Sequence, residues 1–215
     1  MNPDSPTIAV VDYGAGNLVS IGHALERVGA TVRLASGPRG LDEADGLVVP
    51  GVGAAGPAMG RLGRARLVEP IRRWVDDGRP YLGICLGLQL LFEASDEDGA
   101  ETLGLLRGRS VRLEAAPSLP HIGWNQVVRS RAHTLFDGLA DDVDLYFVHS
   151  YAGRPDGRDA DAVLATTEHG ATFVSAIARG PLLGVQFHPE RSGDDGLRLL
   201  SNFTSIVRRS GGRPD

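Results

Sequence analysis

Apolar residues fall along this chain in two rhythms, and their order predicts the architecture. Thr7-Ile8-Ala9-Val10-Val11-Asp12 is a β-branched run with almost no polar interruption, the pattern of a strand covered on both faces in a parallel sheet. Thr31–Ala35 and Gly46–Pro50 repeat it. Between the first two, Leu18, Ile21, Leu25 and Val28 recur at helical spacing behind Asn17, which is suited to N-cap them. A second helix is expected from about Leu67 to Asp77, closed by Gly78, and leads into an apolar strand that stops at Ile84. An apolar helix is expected to start near Leu86. Ser95–Thr102 is acidic and reads as an exposed loop.

From Leu106 the rhythm shortens into more polar strands, at Ser110–Glu114, Trp124–Arg129, Asp144–Tyr151, Ala162–Thr167, Phe173–Ala178 and Leu182–His188. That density after a βα half predicts an antiparallel extension of the sheet. A last helix is expected over Asp194–Arg208, with a disordered tail over 210–215. The fold class is therefore α/β: a mostly parallel central sheet, helices on both faces, and an antiparallel extension. At 215 residues one domain, 1–209, is expected.

Composition removes several function classes. Net charge is −5, which gives no sign of nucleic-acid affinity and no basic block for a membrane surface. All 22 basic residues are arginine, so neither a Schiff-base lysine nor a P-loop lysine exists. One cysteine excludes an intrachain disulfide, and Met1-Asn2-Pro3-Asp4-Ser5-Pro6 lacks the regions of a signal peptide. A cytoplasmic location is expected. The longest apolar runs, Leu47–Gly60 and Leu82–Phe92, are interrupted and fall short of the roughly 20 residues of a membrane helix. Six scattered histidines and one cysteine lack ligand spacing, so no metal or cofactor is expected. His23, His133 and His169 receive no function; His149 is as readily an ordinary strand residue as one that lines the site or a partner face.

The chemistry gathers around Leu82-Gly83-Ile84-Cys85-Leu86-Gly87-Leu88-Gln89. A Cys between two glycines at a strand-to-helix turn has the layout of a nucleophile elbow. Taken alone it is equally a small core side chain. Gly184-Val185-Gln186-Phe187-His188-Pro189-Glu190 alters that balance. It brings a strand out into a His with a carboxylate two residues on, the base and the orienting group that a catalytic Cys requires. In Pro50-Gly51-Val52-Gly53-Ala54-Ala55-Gly56 the turn around Gly51 and Val52 is the natural second oxyanion donor beside Leu86. A dinucleotide loop at Asp12-Tyr13-Gly14-Ala15-Gly16-Asn17 fits poorly, because its third glycine is missing.

GICLGLQ, FHPE and PGVG at these separations resemble the class I, triad-type glutamine amidotransferases, whose fold is flavodoxin-like. Asp12-Tyr13-Gly14-Ala15-Gly16-Asn17 and Pro120-His121-Ile122-Gly123-Trp124-Asn125 are similar to one branch, the glutaminase subunits of imidazole glycerol phosphate synthase, and the likeness runs from Ile8 to Val207. The resemblance implies Cys85 as nucleophile, His188 as base then acid, and Glu190 as the group orienting His188. It implies an oxyanion hole from Val52 and Leu86. Gly51, Gly53, Gln89, Glu97, Ser150 and Tyr151 fall at positions that form the glutamine site. Glu97 shares its loop with Glu93, Asp96 and Asp98. Ammonia would pass to a cyclase (β/α)8-barrel subunit in a heterodimer, and since such a barrel alone takes roughly 250 residues the partner is a separate chain. Asn17, His121, Trp124, Tyr146 and Arg191 match the interface, with Arg191 standing where the family usually has Lys. A glutaminase feeding another synthase and a non-catalytic binding module of the same fold are the alternatives.

Overall fold

The computed structural model describes residues 5–14 and 16–211, so Ala15 of the glycine loop lies outside the described residues. The parallel half is built from β1 (Thr7–Val11), β2 (Thr31–Ala35), β3 (Gly46–Gly51) and β4 (Tyr81–Cys85). Its helices are α1 (Leu18–Arg27), α2 (Ala55–Arg64), α3 (Val68–Asp76) and the single turn α4 (Leu86–Gln89). β5 (Ala94–Ser95), β6 (Gly108–Arg112), β7 (His121–Arg129), β8 (Asp142–His149) and β9 (Tyr151–Pro155) follow. β10 (Val163–His169), β11 (Ala171–Arg179), β12 (Leu182–Val185) and α5 (Gly193–Ser210) complete it.

Nine strands form one sheet in the order β2-β1-β3-β4-β12-β11-β10-β7-β8, while β5, β6 and β9 form a small second sheet. Pairing is parallel from β2 to β12 and antiparallel from there to β8. The expected α/β class and its antiparallel extension are thus present; the second sheet is additional. Strand alternation distributes the parallel half between two cores. Ile8, Val10 and Val48 pack with Ile21 and Leu25 of α1 and with Leu199, Phe203 and Val207 of α5. Ala9, Val11, Leu47 and Val49 pack with Leu62 of α2 and with Ile71 and Trp74 of α3. Each such fully buried aliphatic side chain stabilises the fold by about 1.5–3 kcal/mol. Asn17 caps α1 as expected, its side-chain oxygen accepting from Ser20 N at 3.2 Å.

Three expectations are corrected and two are met with added detail. The glycine-rich stretch after Val52 contains a full helix, α2, since Ala55, Ala58 and Leu62 at helical spacing bury one face, and that packing overrides the poor propensity of its glycines. The helix after Cys85 starts at Leu86 as expected and is one turn long. The strand expected over Asp144–Tyr151 divides at Ser150, where the chain leaves the large sheet for the small one. The acidic loop is exposed over 96–99 as expected, but it is anchored at its ends: Ser95 and Thr102 are buried, and the Thr102 hydroxyl donates to Phe92 O. At the C-terminus Ser210 is the last residue of α5, and 212–215 of the expected tail lie outside the described residues.

The elbow is the tightest place in the fold. Cys85 has φ +52°, left-handed backbone that a side-chain-bearing residue adopts only when its surroundings enforce it. A methyl on Gly87 would sit on the Val49 carbonyl oxygen, and one on Gly83 would lie 2.5 Å from Gly87 O. Both glycines are therefore required by backbone contact. Gly87→Ala is expected to destabilise by about 3 kcal/mol or more. Gly63→Ala, where an added methyl meets nothing within 4 Å near the end of α2, is expected to stabilise by about 0.5–1 kcal/mol. Urea unfolding of both variants checks the pair.

Candidate active site

β4 ends beside β3, with Gly51 paired to Cys85, and beside β12, with Val185 paired to Ile84. The extended exit of β12 then carries Gln186 and His188 toward the same end of the sheet. The strand expected as far as His188 stops at Val185, which lets the backbone turn. His188 N donates to Tyr146 O at 2.8 Å, and the Ser192 hydroxyl donates to His188 O at 2.7 Å. These bonds fix the imidazole's backbone from both sides.

The His188 ring lies 2.8 Å through Nδ1 from Glu190 Oε1, both side chains only 6% exposed. Its Nε2 makes no hydrogen bond of ordinary geometry among the described residues. Burial disfavours the charged ring, but the neighbouring Cys85 sulfur and then Glu190 outweigh it, and the His188 pKa is pushed up to about 10. The ring is thus a strong proton acceptor, oriented by a carboxylate.

Cys85, Leu86, Val52, Gly53, Gln89, Glu97, Pro120, Val148, His149, Ser150 and Tyr151 line one cavity of about 240 Å³. Backbone carbonyls near the elbow are held by two buried tyrosines, Tyr13 donating to Pro50 O at 3.0 Å and Tyr81 to Gly87 O at 3.3 Å. Gln89 Nε2 donates to Tyr151 O at 2.7 Å and to Gln186 Oε1 at 3.1 Å. Gln186 Nε2 in turn lies 3.5 Å from Cys85 Sγ. Sequence reasoning missed Gln186, although it stands two residues before His188 on a strand exit, where alternation places both on one side.

The structure also separates Glu97 from its acidic neighbours. Glu93 accepts from Gly108 N, Asp96 pairs with Arg109, and Asp98 accepts from Gly56 N. Glu97 is the one whose residue lines the cavity, and burial together with the Asp98 charge raises its pKa. A larger cleft of about 690 Å³ lies beyond Tyr151, lined by Asp96, Arg112, Glu114 and Arg154 among others. It lacks Cys85, and His188 lines neither cavity, so volume does not mark the site here; the elbow does.

Of the five residues matched to an interface, Trp124 is exposed and faces Tyr146 across the β7–β8 pair, ring centroids 6.1 Å apart. The Arg191 guanidinium sits 4.1 Å over the Tyr146 ring. Asn17 is exposed at the start of α1. His121 is the correction: at 4% exposure its side chain points into the protein, because β7 alternates and it is Ile122, Trp124, Gln126 and Val128 that turn outward.

Residues 9–206 match the model of the class-I glutamine amidotransferases. The chain belongs to that family. Among curated relatives, "Imidazole glycerol phosphate synthase subunit HisH" of Moorella thermoacetica is 48% identical over 205 residues, spanning 95% of this chain and 97% of that one. The subunit of the same name from Synechococcus sp. (strain JA-2-3B'a(2-13)) is 49% identical over 206 residues, spanning 94% of each. Solved structures speak for the fold alone. PurLQS from Thermotoga maritima superposes with TM-score 0.73 at 18% identity, over 94% of this chain and 99% of that one. A crystal structure of a glutamine amidotransferase gives 0.72 at 21%, over 93% of this chain and 98% of that one. The planar face of the Arg191 guanidinium is turned to the Tyr146 ring.

The raised His188 pKa fixes a sign. Unfolded, the ring titrates near 6.5; folded, near 10. Its contribution to stability is therefore fully present below about pH 6.5 and lost as pH rises through 10. Glu190→Gln is expected to lower the His188 pKa in an imidazole ¹⁵N titration. Its melting-temperature deficit against the unmodified chain should be larger at pH 6 than at pH 10; an equal deficit would show that the ion pair is not what Glu190 supplies.

Proposed function

We propose that this chain is the glutaminase subunit of an imidazole glycerol phosphate synthase, and that Cys85, His188 and Glu190 carry its chemistry. The observation that supports it most is the His188 ring, tied to Glu190 through Nδ1 with Nε2 uncommitted near the Cys85 sulfur. Similarity of 48–49% to curated subunits of that synthase supports the pathway.

In this reading glutamine enters the 240 Å³ cavity with its side-chain amide at Cys85. Sγ attacks the amide carbonyl carbon with its proton already held on His188 Nε2, the ring being kept protonated by the Cys85 sulfur and Glu190. The tetrahedral oxyanion is met by backbone N–H groups of Val52 and Leu86. His188 returns the proton to the departing nitrogen, ammonia leaves, and a γ-glutamyl thioester remains on Cys85. Water then attacks the thioester carbonyl, losing its proton to His188, which keeps it as the C–S bond breaks and glutamate departs, so the starting pair is restored. Gly51 shapes the donor strand; Gly53, Gln89, Glu97, Ser150 and Tyr151 hold the polar ends of glutamine, with Glu97 offered to its ammonium. A neighbouring cation would reverse the upward pKa shift that burial and Asp98 impose on Glu97.

The partner is a cyclase barrel that receives ammonia, joined as a heterodimer working in the cytoplasm, with 1–209 acting as one domain. Trp124, Tyr146, Arg191 and Asn17 provide the docking face, next to the segment that holds His188 through Tyr146 O. Cys85→Ala should lower glutamate release from glutamine by about 10³-fold or more, and Glu190→Gln by less. Addition of the cyclase subunit with its nucleotide should raise release by the unmodified chain. Release that persists in Cys85→Ala, or that ignores the cyclase, would overturn the triad or the pathway respectively.

A further inference from the structure

Behind the cavity wall runs a file of hydrogen bonds that the mechanism does not use. Asn125 Nδ2 lies 3.1 Å from His121 Nε2, His121 Nδ1 lies 3.1 Å from His149 Nε2, and His149 Nδ1 lies 2.9 Å from Tyr151 O. A carbonyl oxygen only accepts, so His149 must carry its proton on Nδ1. A neutral imidazole then accepts at Nε2, so His121 must donate from Nδ1 and accept at Nε2 from the Asn125 amide. One proton arrangement satisfies every link. Both rings are buried. Burial, with neighbouring histidines, holds His121 near 4, and it holds His149 near 3 despite the opposing Tyr151 bond, so both are neutral at pH 7. Packing holds the rings in place: His169 stacks on His121 at 4.0 Å, and Phe173 meets His149 edge-on at 4.9 Å.

The file ends where the pocket wall is made. Tyr151 O receives Gln89 as well as His149, so both of its lone pairs are engaged. It sits at the break between β8 and β9, whose residues Val148, His149, Ser150 and Tyr151 line the cavity with Cys85. We propose that Asn125, His121 and His149 are positioning residues that set the Ser150–Tyr151 wall of the substrate pocket by holding the Tyr151 carbonyl through one fixed tautomer of each ring. This rests on the reading of that cavity as the glutamine site. Gln89 and Gln186 extend the file to within 3.5 Å of the Cys85 sulfur, so the wall and the reacting atom share one hydrogen-bonded frame.

The test has two arms. Imidazole ¹⁵N shifts of the full unmodified chain at pH 7 should show a protonated Nδ1 and an unprotonated Nε2 on both His121 and His149. Any other tautomer, or a charged ring, overturns the proposal. In His149→Ala, KM for glutamine should rise by about 10-fold, more than kcat falls, since a hydrogen bond that orders the wall is lost. Added imidazole should restore KM, because it donates at one nitrogen and accepts at the other. N-methylimidazole fills the same space without a donor and should not. Rescue by both would make His149 a space-filler, and an unchanged KM would sink the positioning role. An unmodified chain that releases no glutamate even with the cyclase subunit and its nucleotide present would defeat the reading of the pocket instead, and the nitrogen shifts would still decide the file.

Discussion

Everything at this site depends on one backbone constraint: Cys85 is held in left-handed conformation at the end of β4 by contacts that leave no room for a methyl on either flanking glycine. Gly87 packs on the β3 carbonyl of Val49, and Gly83 packs on Gly87 itself. The turn is therefore clamped between neighbouring strands of a close-packed parallel sheet, whose own order is enforced by two apolar cores. Strain of this kind, of order 1–3 kcal/mol, persists only where the surroundings over-determine it. Here they do so with backbone atoms, which cannot change rotamer. The result is a sulfur at the sheet's end with the Leu86 peptide beside it.

The second half of the chain supplies what the elbow lacks. β12 is the last parallel strand, added next to β4 by a chain that has first built the antiparallel extension, and its exit delivers Gln186 and His188 to Cys85. β8, at the opposite edge of the sheet order, reaches back through Tyr146 O to His188 N and through the Ser150 break to the cavity. His188 is thus held by the same strand whose outer side shows Tyr146 to Trp124 and Arg191. A shift of that strand would act on the His188 backbone directly, a short mechanical route between the proposed docking face and the proposed base.

Much of this was legible in the order of residues. Ile8–Val11 and Leu47–Val49 announce buried parallel strands because a strand covered on both faces cannot alternate. Gly83-x-Cys85-x-Gly87 with His188 and Glu190 points to the proposed triad because that chemistry admits few residue types. What stayed hidden is decided by tertiary packing. α2 carries three glycines and a proline yet is helical, because Ala55, Ala58 and Leu62 are buried. His121, in a motif whose neighbour Trp124 is exposed, turns inward because β7 alternates. Glu97 could be told from Glu93, Asp96 and Asp98 only once those three were seen bonded to Gly108, Arg109 and Gly56. Neutral buried histidines carry no signature in composition, so the file from Asn125 to Tyr151 was invisible until distances fixed it.

The central claim is covalent chemistry at Cys85, and the most direct measurement is mass spectrometry of the chain acid-quenched during turnover of glutamine with the cyclase subunit present. The account predicts the mass of one glutamyl group added to the peptide containing Cys85, lost on treatment with hydroxylamine and absent when glutamate replaces glutamine. Glutamate produced steadily with no adduct at Cys85, in a sample whose quench demonstrably preserves a thioester standard, would contradict it.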